Sequence, residues 1–75
     1  MSTAFILLNC DVGCEKAIID ELSTISGMSY AYKTRGAYDI IIKLELSSWN
    51  ELRNTIVNIR KIDAVHATLT LTVTK

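Results

Sequence analysis

The stretch TAFILLN, residues 3–9, is apolar on both sides of a two-residue alternation: Phe5 and Leu7 oppose Ile6 and Leu8. Successive side chains of a strand point to opposite faces, so a strand built this way needs cover on both. Helices can cover one face, and something else apolar must cover the other. The chain is short for that demand: of its 75 residues, 49% are hydrophobic and 21% charged. A domain this small buries only roughly 60% of its unfolded surface. The second apolar face is therefore expected to be buried between subunits.

The remaining periodicities set the element order. There is no proline, and neither a linker nor a low-complexity run, so residues 1–75 are expected to form one domain with closely spaced elements. CEKAIIDELSTI, 14–25, carries Ile18, Ile19, Leu22 and Ile25 on the stripe of an amphipathic helix. Glu15 sits in its first turn, where the helix dipole favours an acid, and Ser26 and Gly27 read as its stop. MSYAYKT, 28–34, alternates, with Met28, Tyr30 and Tyr32 on one side. Gly36 turns the chain and YDIIIKLEL, 38–46, runs back, so 28–46 is a hairpin. Ser47 or Ser48, followed by Glu51, is a capping-box pattern for a helix whose buried side is marked by Trp49, Leu52, Ile56 and Ile59. AVHATLTLTVT, 64–74, is the last strand. It sets His66, Thr68, Thr70 and Thr72 on one face and Val65, Ala67, Leu69, Leu71 and Val73 on the other. The order βαββαβ predicts an α+β, ferredoxin-like sandwich: a four-stranded antiparallel sheet with both helices on one face.

Eight Lys plus Arg balance eight Asp plus Glu. The basic residues are interleaved with acids, without the clustered positive surface that a nucleic acid needs. Direct binding to DNA or RNA is not expected. The N-terminus has no basic region ahead of its apolar run, and nothing approaches the roughly 20 apolar residues of a membrane span. A cytoplasmic protein with reduced cysteines and no membrane contact is expected.

Several residues invite a chemical reading. Cys10 and Cys14 flank the turn into the first helix, where two thiolates can hold a soft metal; the plainer reading is two small half-buried hydrophobes. His66 has no acid or nucleophile near it in sequence, and a sheet-surface side chain is the plainer reading. Thr68, Thr70 and Thr72 are either good strand formers or a ladder of hydroxyls for a polar ligand. In TRGAYDIII, 34–42, Asp39 stands at the mouth of an apolar strand. It either caps the hairpin turn through backbone amides or forms a small pocket with Gly36 and Tyr38, in which Gly36 allows close approach.

ISGMSYAY, GAYDIIIKLEL and WNELRNTIVNIRKIDAVHATLTLTV, in that order, resemble the effector-binding (RAM) domain of the Lrp/AsnC family of transcription regulators over nearly the whole chain. The motif pieces are Gly36, Tyr38 and Asp39 (G-x-Y-D) and Val65, Thr68 and Thr70 (V-x-x-T-x-T). The resemblance implies sheet-paired dimers, assembly into rings that are often octamers, and amino-acid binding between subunits. The matching ligand positions are Gly36, Ala37, Tyr38, Asp39, Thr68 and Thr70. Arg35 stands where the family commonly has threonine, putting a guanidinium beside the site that can pair an acidic ligand group or hold Asp39. The family's usual prolines near Gly13 and Gly27 are missing. At this length there is no room for the family's helix-turn-helix, so a stand-alone effector module is expected.

The expected function is an oligomerising regulatory module that binds an amino acid or related metabolite. Full-length Lrp/AsnC regulators are candidate partners through mixed assembly. No cofactor, metal or catalytic residue is expected, because no nucleophile–base pair and no phosphate loop is present. The alternatives are an amino-acid-binding domain of the ACT type, which shares the element order, a soft-metal-binding domain using Cys10 and Cys14, a ferredoxin-like enzyme, and a purely structural assembly module.

Overall fold

The computed structural model of the chain describes residues 2–73. Its elements are β1 (Ser2–Cys10), α1 (Glu15–Leu22), β2 (Met28–Lys33), β3 (Ile40–Leu46), α2 (Trp49–Arg60) and β4 (Val65–Thr72). They form one four-stranded sheet in the order β2-β3-β1-β4, with every neighbouring pair antiparallel. The expected βαββαβ order and ferredoxin-like fold hold. The last strand ends two residues short of the expected 74, and Thr74 lies outside the described residues.

Directly opposed residues of antiparallel strands share a face, so the register assigns every side chain. Ile40, Leu8 and Thr68 form one row across the sheet, and Ile42, Ile6 and Thr70 the next. This face carries the core. Ile6, Leu8, Ile40, Ile42 and Leu44 are fully buried against Leu22 of α1 and Leu52 and Ile59 of α2. Each such side chain contributes about 1.5–3 kcal/mol on burial. The opposite face shows the rows Tyr32–Ile41–Leu7–Leu69 and Tyr30–Lys43–Phe5–Leu71. Among the described residues no helix covers it; Tyr32, Leu69 and Leu71 are exposed, and Tyr30 stacks on Tyr32 at 5.0 Å between ring centroids.

Two irregularities correct the simple alternation. The register shifts between Asn9 and Cys10, which pair with Ala67 and Val65 and skip His66. A bulged residue reverses the facing of everything beyond it. Val65 therefore lies on the buried side with the threonines, and His66 is left outside that pattern. A second shift between Met28 and Tyr30 does the same to β2. Met28, opposite Leu44, packs against the core, whereas Tyr30 and Tyr32 lie on the bare face.

The helices also depart in detail. α1 stops at Leu22 rather than Ile25, because the hydroxyls of Ser23 and Thr24 turn back onto the carbonyls of Ile19 and Glu21, both at 2.7 Å. Such local bonds compete with continued helix. Ile25 still packs against the core from the turn that follows. At α2, Ser48 is the N-cap and accepts from the Glu51 amide at 3.2 Å, while Ser47 Oγ donates to the Glu51 carboxylate at 3.0 Å. Trp49 does not mark the buried side: it is the first helical residue and is 50% exposed. Leu52 and Ile59, with partly buried Ile56, form the packed stripe.

Candidate functional site

The connection from β2 to β3, residues 34–39, is tied down at its base. Thr34 closes it twice, through its amide to the Asp39 carbonyl at 2.8 Å and its hydroxyl to the Tyr38 carbonyl at 2.7 Å. Asp39 then joins the loop to β1. Its amide donates to the Leu8 carbonyl at 2.9 Å, and its Oδ2 accepts from the Cys10 amide at 3.0 Å. The carboxylate thus meets the β1 amide that lies beyond the last β1–β3 pair, Leu8 with Ile40. Its cost at the mouth of an apolar strand is met by a charge-assisted hydrogen bond.

The tip of the loop is different. Gly36 adopts φ +119°, which favours glycine, and no atom lies within 4 Å of where a Cβ would stand. The amides of Gly36 and Ala37 have no hydrogen-bond partner among the described residues. Arg35 is exposed and makes no ion pair with Asp39. A hydrogen-bonded base therefore carries an open tip with two amide donors that have no partner among the described residues, and Asp39 has one carboxylate oxygen engaged.

Gly36, Ala37, Tyr38 and Asp39 are brought together, but Thr68 and Thr70 are not brought to them within one molecule. β1 stands between β3 and β4. Both threonines face the helix layer. Thr68 Oγ1 accepts from Arg60 Nε at 3.2 Å. Thr70 Oγ1 is buried without a partner.

The remaining candidates are placed as follows. Cys10 and Cys14 are both free thiols. Burial first, then the neighbouring carboxylate of Asp39, pushes the Cys10 thiol up from its ordinary value, which disfavours the thiolate that a soft metal needs. Among the described residues, no cluster of three or more His, Cys, Asp or Glu side chains is spaced to hold a metal ion. His66 does have an acid: its Nε2 contacts Asp11 Oδ1. That pair is separated by 55 positions in sequence and no local pattern announces it. The Arg60–Thr68 contact is also absent from any motif, since it depends on α2 crossing β4.

Residues 3–75 match the family described as Lrp/AsnC ligand binding domain. A homocitrate synthase of Sulfurisphaera tokodaii is 41% identical over 59 residues, covering 79% of this chain and 13% of the enzyme, so the chain spans only a small part of that curated relative. Among solved structures, the hypothetical protein PHS023 from Pyrococcus horikoshii is 32% identical with a TM-score of 0.94, covering 100% of this chain and 92% of that one. AsnC of E. coli is 28% identical with a TM-score of 0.88, covering 99% of this chain and 51% of that one.

Proposed function

Because the chain belongs to the Lrp/AsnC ligand binding domain family, we propose that this regulatory ligand-binding module takes an amino acid at the 34–39 loop and works as an oligomer. The observation that carries the reading is the open loop tip: Gly36 and Ala37 amides without a partner among the described residues, in the same loop as the carboxylate of Asp39. An α-carboxylate needs amide or hydroxyl donors, and an α-ammonium needs a carboxylate or carbonyls. Gly36 and Ala37 offer the first, and Asp39 Oδ1 the second, while Oδ2 stays on Cys10. Tyr38 forms the side of the pocket. Thr68 and Thr70 of a neighbouring subunit form the other wall in this reading.

The basic unit in this reading is a two-fold dimer through the bare sheet face, with rings built from dimers and mixed assembly with full-length regulators. Residues 1–75 act as one unit. The module does no chemistry of its own and takes up neither nucleic acid nor cofactor. Among the described residues no helix is long and apolar enough to cross a membrane, and a cytoplasmic location completes the reading.

The test is a thermal-shift screen of the twenty amino acids at millimolar concentration. A ligand at 100 times its Kd should stabilise the fold by roughly 2.7 kcal/mol. Asp39→Asn keeps the shape of the side chain and removes its charge. It should weaken binding more than about tenfold, or about 1.4 kcal/mol, with the oligomer intact. No shift with any amino acid, or undiminished binding by Asp39→Asn, removes the reading.

A further inference from the structure

A groove of about 390 Å³ runs along α1 on the helix layer, lined by none of the residues of the 34–39 loop. That volume is at the lower end of small-molecule sites. One wall is the α1 face that carries Ile18 and Glu21; the other is the turn from α2 into β4 with Lys61, Ile62, Asp63 and Ala64. Both walls are fixed through the backbone. The turn is held by Lys61 N to Asn58 O at 3.2 Å, Val65 N to Ile62 O at 3.0 Å, and Asp11 N to Ala64 O at 2.9 Å. The groove is therefore present before any ligand arrives, which lowers the ordering cost of binding.

Its chemistry is apolar below and charged above. Ile18 is buried, and Ile62 and Ala64 are half-buried, so the floor is aliphatic. Glu21, Lys61 and Asp63 are exposed at the rim. None of the three forms an ion pair, with one another or with any other described residue. The rim thus offers two uncommitted carboxylates and one uncommitted ammonium around an aliphatic strip. The complement is a molecule with two cationic heads, one anionic head and a short methylene chain.

We propose that this groove is a second ligand site, separate from the loop site, and that it takes a basic α-amino acid of the lysine type. The α-carboxylate meets Lys61, the two ammonium groups meet Glu21 and Asp63, and the methylene stem lies on Ile18 and Ile62. A simple aliphatic diamine shares the two cationic heads and lacks the partner for Lys61, so the two ligand sources are separable.

The experiment is a titration of the full chain by amide-resolved NMR with L-lysine, L-norleucine and 1,5-diaminopentane, repeated on Glu21→Gln/Asp63→Asn, Lys61→Gln and Asp39→Asn. Lysine should give saturable shifts at residues 14–21 and 61–64. Its affinity should fall at least about tenfold in the double carboxylate variant, and norleucine should bind wild type at least about tenfold more weakly than lysine. Lys61→Gln should weaken lysine and leave the diamine unchanged. Asp39→Asn should leave the groove shifts in place, whatever it does at residues 36–39, so this site and the loop site fail or stand separately. Absence of saturable groove shifts, equal binding of norleucine, or indifference to the double variant overturns the proposal. A diamine that binds wild type as tightly as lysine overturns the amino-acid assignment.

Discussion

Oδ2 of Asp39 accepts the Cys10 amide at 3.0 Å, across 29 residues of chain. That bond joins the hairpin loop to the bulged end of β1. Asp39→Ala leaves the Cys10 amide without its partner and should cost about 1–3 kcal/mol. In a domain of this size each kcal/mol lowers Tm by roughly 4–8 °C. Asp39→Asn retains an oxygen at the same place and should cost less than half as much. Thermal unfolding of the two variants checks the order; equal losses would mean that charge, and not the capping bond, carries the stability.

Gly27 and Gly36 both have positive φ, at +89° and +119°, but differ in what surrounds them. A Cβ on Gly27 would overlap the Leu46 side chain and stand 2.9 Å from the Glu45 carbonyl oxygen, whereas one on Gly36 meets nothing within 4 Å. Gly36→Ala should cost about 1–3 kcal/mol, the backbone penalty alone. Gly27→Ala should cost clearly more, and urea midpoints should rank the two in that order.

Leu52 is fully buried under α2, whereas Trp49 at the helix start is 50% exposed. Leu52→Ala should therefore destabilise by about 2–5 kcal/mol, enough to unfold a marginal domain. Trp49→Ala should be the milder change despite the larger side chain removed. Far-UV circular dichroism of the two variants distinguishes them.

The bare sheet face presents Leu69 and Leu71 at 41% and 52% exposure beside Phe5 and Leu7. If copies pair through this face, Leu69→Lys with Leu71→Lys sets like charges against each other across the two-fold axis. The weight-average mass by light scattering should then fall to that of the monomer at micromolar concentration. An unchanged mass would place the contact elsewhere.

Cys14 is half-buried and Cys10 is buried with its thiol pushed up by desolvation and by Asp39. Iodoacetamide should label Cys14 well before Cys10. The Cys10 thiol also contributes to pH dependence. Its folded pKa lies above the unfolded one, so the native state holds the proton longer. That contribution is fully present below the ordinary thiol pKa and is lost as pH rises through the raised folded one. Denaturant midpoints should fall in the alkaline range in wild type and fall less in Cys10→Ala.

Periodicity was enough to read the element order, because the repeats of helix and strand differ and the all-apolar β1 demands cover on both sides. The end of α1, the exposure of Trp49 and the facing of Met28 and Val65 were not legible. Each depends on a bulge, a side-chain cap or an overhang that does not alter the local pattern. The candidate site divides in the same way. Gly36 and Asp39 stand out along the chain as a turn residue and a misplaced acid. That one oxygen of Asp39 is engaged by Cys10, that β1 separates Asp39 from Thr68, and that Asp11 meets His66 follow only from strand order and register. Local sequence determines which residues alternate, turn and cap, since those effects act over a few bonds. Partners far apart in sequence are chosen by how the strands align, and a shift of one residue reassigns them all.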